Sequence, residues 1–122
     1  MYCLDSDILI AFLKGDKDAI RFISQHNDVC TTVINAQEIL FGVSHERFDV
    51  ICKFFENMDV IAYDALSLSD VVIIKKDLSS QGQTIGSFDE IIAGICVAHK
   101  LILVSRNNKH FSRVSQLKTI SW

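Results

Sequence analysis

Two carboxylates, Asp5 and Asp7, stand between the short apolar run YCL and the longer one that begins at Ile8. Three further polar positions border apolar runs in the same way: Glu38 within NAQEILFGV, Asp89 within SFDEIIAG, and Asn107 in SRNN just after LILV. Each has an ordinary structural explanation. Asp5 suits a helix N-cap, Asp7 and Asp89 suit first-turn acids that complement a helix dipole, Glu38 suits a capping partner of Asn35, and Asn107 suits a turn. As a set they point elsewhere. Carboxylates gathered on one rim, with no basic neighbour in sequence, repel one another and raise at least one pKa unless a cation neutralises them. Oxygen-only ligands select hard cations such as Mg²⁺ or Mn²⁺ rather than zinc. An ion of that kind can activate a water and hold a phosphoryl oxygen, which is the logic of metal-dependent nucleases.

That chemistry requires elements that carry the acids to one rim, and the hydrophobic pattern supplies them. YCL at 2–4 reads as a short buried strand, followed by a helix over 7–15 that stops at Gly15. A second helix starts at Asp16, with Ala19, Ile20 and Ile23 on one face. Strand DVCTT at 28–32 precedes a helix from Asn35, on which Glu38 lies one turn in. RFDVICKFFENM reads as a helix turning Val50, Ile51, Phe54 and Phe55 inward, although apolar positions around 46–57 serve a core or a dimer face equally well. Strand DVIA at 59–62 leads to a helix capped by Asp64 and running through Leu68, Val71, Val72, Lys75 and Leu78 to a turn at Gly82. SFDE at 87–90 reads as a capping box, Ser87 as N-cap and Glu90 three residues on, ahead of a deeply buried helix. LILV at 101–104 is a strand covered on both faces, and KTI at 118–120 is the last. Strands alternating with helices predict an α/β fold with a mostly parallel sheet. In such folds ligands bind beyond the carboxyl ends of the strands, where the strand order reverses.

Other chemistries find no footing. There is no G-x-G-x-x-G and no P-loop. His26, His45, His99 and His110 have no metal-type pairing, though His110 lies close to Asn107. Cys3, Cys30, Cys52 and Cys96 sit in apolar surroundings without C-x-x-C spacing, so free buried thiols are expected rather than zinc or disulfides. The longest apolar stretch, IIAGICVA, falls short of the ~20 residues of a membrane span, and Asp5 arrives too early for a signal peptide, so a cytoplasmic protein is expected. The formal charge of −3 is unevenly spread: no Asp or Glu follows Glu90, whereas Lys100, Arg106, Lys109, Arg113 and Lys118 do. A basic region for a polyanion beside an acidic one is the implication.

Four blocks together carry a resemblance. LDSDILI at 4–10, TTVINAQEILFGV at 31–43, IGSFDEIIAG at 85–94 and LILVSRNNKHFSRV at 101–114 resemble the signature blocks of PIN-domain proteins. More narrowly, they are similar to the VapC-type toxins of bacterial and archaeal toxin–antitoxin pairs. The blocks follow in order over essentially the whole chain, so residues 1–122 are expected to form a single PIN domain. The resemblance implies a PIN-like α/β/α sandwich acting as a Mg²⁺-dependent endoribonuclease, with Mn²⁺ able to substitute. It also implies a homodimer held inactive by a VapB-type antitoxin, whose C-terminal segment wraps the toxin and pushes an Arg or Lys into the acidic pocket. By the same resemblance Asp5, Glu38 and Asp89 hold the metal, and Asn107 completes the catalytic set where the family often has Asp. Ser6 and Ser105 match hydroxyl positions that orient a carboxylate. Arg106, Lys109 and Arg113 are expected to bind the flanking RNA phosphates, a salt-sensitive contribution. Two other readings stay open: a PIN nuclease of RNA or DNA processing without an antitoxin, and a non-catalytic RNA- or protein-binding PIN module.

Overall fold

A computed structural model describes residues 1–122. Strands β1 (Tyr2–Leu4), β2 (Val29–Thr32), β3 (Asp59–Ile61), β4 (Ile102–Ser105) and β5 (Lys118–Ser121) form one sheet in the order β3-β2-β1-β4-β5. Every pairing is parallel, so the sheet goes further than the mostly parallel expectation. The central strands are nearly continuous apolar runs, as strands covered on both faces must be. Edge strands β3 and β5 expose Asp59, Lys118 and Thr119, which discourages pairing with another sheet.

Helices α1 (Ser6–Leu13), α2 (Lys17–Gln25), α3 (Val33–Gly42), α4 (Phe48–Glu56), α5 (Ala65–Ser80), α6 (Ser87–Ala98) and α7 (Asn108–Phe111) supply the two outer layers. Alternation along the strands divides the core between them. Cys3 and Leu103, register partners, face a cluster with Ile74, Leu78, Ile92 and Cys96 of α5 and α6. Leu4 and Val104, the next pair, face Ile8, Leu9, Ile39, Ile51 and Phe55 of α1, α3 and α4. Helices α5 and α6 approach so closely that a Cβ on Gly94 would lie 2.8 Å from Val71 Cα and 2.9 Å from Val71 N. Glycine there is a packing requirement. No helix is long and apolar enough to cross a membrane.

Caps fix where the helices start. Asp16 accepts from Asp18 N and Ala19 N to open α2, and Asp64 accepts from Ser67 N to open α5. The expected capping box at 87–90 does not form. Gly86, at φ 96°, takes the cap position without a side-chain bond, Ser87 is already helical, and the Glu90 carboxylate is buried with Lys75 Nζ at 3.8 Å. The helix expected from Asn35 starts at Val33, because Thr32 rather than Asn35 is its cap. Val50, expected to turn inward, is 65% exposed, and Ile20, Leu68 and Val72 are exposed as well. All four cysteines are free, three of them buried.

Candidate active site

The chain runs outward from β1 to β2 and β3, then returns across β1 to place β4 and β5 on the other side. The reversal lies between the carboxyl ends of β1 and β4, where Asp5 follows the one strand and Ser105 ends the other. Asp5, directly after β1, is only 7% exposed. Its Oδ1 accepts from Ser6 N at 2.9 Å and from Asn35 Nδ2 at 2.9 Å, and its Oδ2 accepts from Ser105 Oγ at 2.6 Å. The Ser105 hydroxyl accepts in turn from Asn107 N at 2.9 Å. Asn35, fully buried, is held from behind by Thr32 Oγ1, which donates to its Oδ1 at 2.7 Å. Its Nδ2 also donates to Ser6 Oγ at 2.9 Å, and Ser6 Oγ donates to Glu38 Oε1 at 3.3 Å. One continuous network therefore joins the ends of β1, β2 and β4 around the Asp5 carboxylate.

Asp89, in the first turn of α6, enters from the opposite layer. Its Oδ2 lies 3.0 Å from His110 Nδ1 and 3.4 Å from Asn107 Nδ2, and those two nitrogens are 3.1 Å apart. Asp7 Oδ2 accepts from Arg106 N at 3.0 Å, pinning the turn between β4 and α7, while its Oδ1 is buried without a partner.

The family model for the PIN domain matches residues 2–117. The chain belongs to the PIN-domain family. It is 30% identical to the tRNA(fMet)-specific endonuclease VapC of Shigella flexneri over 128 aligned positions, covering 99% of this chain and 97% of the relative. It is 31% identical to Ribonuclease VapC2 of Haemophilus influenzae, again over 99% and 97%. Among solved structures, VapBC from Salmonella typhimurium bound to DNA matches with a TM-score of 0.87 at 26% identity, over 99% of this chain and 97% of that one. VapBC2 from Rickettsia felis bound to a promoter DNA fragment matches its fold with a TM-score of 0.87 at 24% identity, over 99% and 98%.

Electrostatics distinguishes the acids of this PIN domain from ordinary surface carboxylates. Burial pushes the Asp5 carboxyl above its usual range, the Ser105 hydrogen bond pulls it down, and Asp7 and Asp89 push it up again. Glu38 is likewise raised, first by burial, against the Ser6 hydrogen bond, and then by Asp5 and Asp89. Asp5, Glu38 and Asp89 thus share one negative field. As folded, no three of the His, Cys, Asp and Glu side chains close around a point as a ready set of ion ligands. The donors nonetheless suit a hard cation: carboxylate oxygens with an amide beside them, mutually repelling and without a Lys or Arg among them.

The basic residues diverge. Arg106 sends its guanidinium away from the acids to Asp16, 3.6 Å distant, Arg113 Nη1 donates to Thr84 O at 3.0 Å, and Lys109 is exposed on α7. Sequence reasoning overlooked Asn35 and Thr32, which carry the network from β2 to Asp5. The available signal was spacing: Asn35 precedes Glu38 by three residues, one helical turn, and so shares its face.

Proposed function

We propose that this chain is a metal-dependent endoribonuclease, the VapC-type toxin of a toxin–antitoxin pair in the cytoplasm. The observation that carries the reading is the buried network at the β1/β4 reversal, which holds Asp5 beside Glu38 and Asp89, with the Asp5 and Glu38 carboxyls raised by burial and then by neighbouring carboxylates. Asp5, Glu38 and Asp89 would hold a divalent ion, Mg²⁺ with Mn²⁺ able to replace it, and Asn107 would complete the set as a neutral oxygen donor. Bound there, the ion would supply a Lewis acid for a phosphoryl oxygen and would polarise a water toward attack on phosphorus. The chain's own residues do the rest. Ser105 and Asn35 fix both Asp5 oxygens, Ser6 orients Glu38, and His110 and Asn107 hold Asp89. Lys109 and Arg113, neither of them in an ion pair, would act on the flanking phosphates, whereas Arg106 is paired with Asp16.

The partner reading is supported by a second feature. A groove of about 410 Å³, lined by Ile10, Leu13, Ile39, Val43 and Ile51, has Glu38 at its margin, and Phe41 near it is 93% exposed. An antitoxin segment with an apolar face fits this groove and can place an Arg or Lys against Glu38, occupying the field that a metal would otherwise neutralise. The homodimer belongs to the same reading, and exposed Leu66, Leu68, Val72 and Ile73 on α5 offer it a face.

The deciding experiment is cleavage of total cellular RNA by antitoxin-free protein, with Mn²⁺ or with chelator, alongside Asp89→Asn. Discrete fragments are expected with Mn²⁺ only, and none from the variant. A folded protein that cuts nothing would favour the non-catalytic binding module, and one that cuts equally in chelator would remove the metal.

A further inference from the structure

A second cleft lies where α2 meets the end of β5, across the β4–α7 turn from the acids. It measures about 430 Å³ and is lined by Asp18, Arg21, Phe22, Gln25, Arg106 and Trp122, within the size range of small-molecule sites. Trp122 keeps 38% of its surface exposed. Its indole meets Phe22 edge to face at 5.9 Å, and the Arg106 guanidinium carbon lies 5.6 Å from its ring centre. Phe22 stacks on His26 at 4.2 Å, and Tyr2 packs edge-on against both rings at 5.4 and 4.7 Å. This aromatic column is rooted in β1, and the indole packs against its outer ring.

The charges in the cleft cancel. Arg106 pairs with Asp16 at 3.6 Å and Arg21 with Asp18 at 3.7 Å. A phosphate would find no uncompensated cation here. What remains is a π face and a guanidinium plane, flanked by a carboxylate that accepts, an amide that does both, and a guanidinium that donates. That combination matches the face and edge of an unpaired nucleobase, which proteins hold by stacking on aromatic rings and Arg planes and by bonding its edge. The cleft also adjoins the acids through the backbone: Arg106 follows Ser105, whose hydroxyl holds Asp5, and its N–H is held by Asp7.

We propose that the cleft between Trp122, Arg106 and Arg21 is a nucleobase subsite, taking an unpaired base of the RNA strand whose backbone is cut at Asp5 and Asp89. The inference rests on the nuclease reading for its substrate, but its test does not require cleavage. Trp122 is the only tryptophan, so its fluorescence reports on the cleft alone. With chelator present, a short oligoadenylate is expected to quench the emission saturably and to go on doing so in high salt, because stacking releases no counterions. Arg21→Ala, on the outer face of α2, should weaken that quenching several-fold. In cleavage assays Trp122→Ala should raise KM about tenfold with kcat carried by the acids, and Trp122→Phe, which keeps a stacking face, should recover most of the loss. Emission that oligoadenylate leaves unmoved, or that an arginine-rich peptide moves equally well, overturns the subsite. Quenching by a protein that cuts no RNA upholds the subsite and removes the nuclease reading, whereas cleavage with unmoved emission does the reverse.

Discussion

Asp5 is held at a cost that its environment makes visible. Three hydrogen bonds fix it, yet burial and the neighbouring acids leave its pKa above the ordinary carboxylate range. The native state therefore binds that proton more tightly than the unfolded chain does, so the associated stability is complete below about pH 4 and is lost as pH rises through the raised native value. Asn at this position mimics the protonated acid. Its carbonyl can still accept from Ser6 and Asn35, and Ser105 Oγ can turn to accept from its amide. Asp5→Asn should abolish cleavage and melt higher than the parent near neutral pH, with the difference shrinking toward pH 4. A melting difference that is flat with pH would mean that Asp5 carries no such penalty. At this scale the sequence was legible where an acid borders an apolar run, after it for Asp5 and before it for Glu38 and Asp89. It was not legible for Asn35, whose importance comes from full burial against a strand 30 residues away. Nor did sequence order reveal that the Arg106 guanidinium turns to Asp16, since that depends on where α2 packs.

Element boundaries set the geometry of the network, and α3 shows how. Thr32 ends β2 and caps α3, accepting from Asn35 N at 3.3 Å while donating to the Asn35 side chain at 2.7 Å. One hydroxyl thus starts the helix and aims the amide that holds Asp5. Thr32→Ala should cost about 1–2 kcal/mol of stability as a lost cap, and should also lower kcat by freeing Asn35. Thr32→Ser, which keeps the hydroxyl, should restore most of both. If the alanine variant loses stability with kcat intact, Thr32 is a cap alone. Strand and helix order could be read from alternating apolar runs and from Asp16 and Asp64 as caps. The reading failed at 87–90, where a Ser-x-x-Glu pattern invites a capping box. There Gly86 supplies a positive φ no other residue adopts cheaply, and the Glu90 carboxylate is drawn inward to Lys75 of α5. Local pattern yielded to a tertiary contact between two helices packed too closely for any side chain at position 94.

For the molecule as a whole, parallel pairing throughout and a single reversal of strand order leave one place where acids from both layers can meet. Asp5 arrives from β1, Glu38 from α3 and Asp89 from α6, positions separated by 33 and 51 residues in sequence. The fold therefore brings negative charge together at the carboxyl ends of β1 and β4, while Lys100 and Lys118 of the acid-free segment after Glu90 stand at the amino ends of β4 and β5, on the opposite rim. A charge cluster of this kind makes stability depend on whatever neutralises it. A cation that binds only the native state stabilises it by mass action, about 2.7 kcal/mol at a hundredfold excess over Kd. At about 4 °C per kcal/mol for a domain of this size, that is a rise in Tm of about 10 °C. Mn²⁺ should raise Tm progressively with its concentration, chelator should reverse the rise, and Asp5→Asn should abolish it. Asn107→Asp is the sharper test, because it adds a fourth carboxylate to the same field. That variant should melt lower than the parent in chelator, from added repulsion, and gain more than the parent from Mn²⁺, from a tighter site. A variant whose Tm is unmoved in both conditions would place position 107 outside the field shared by Asp5, Glu38 and Asp89.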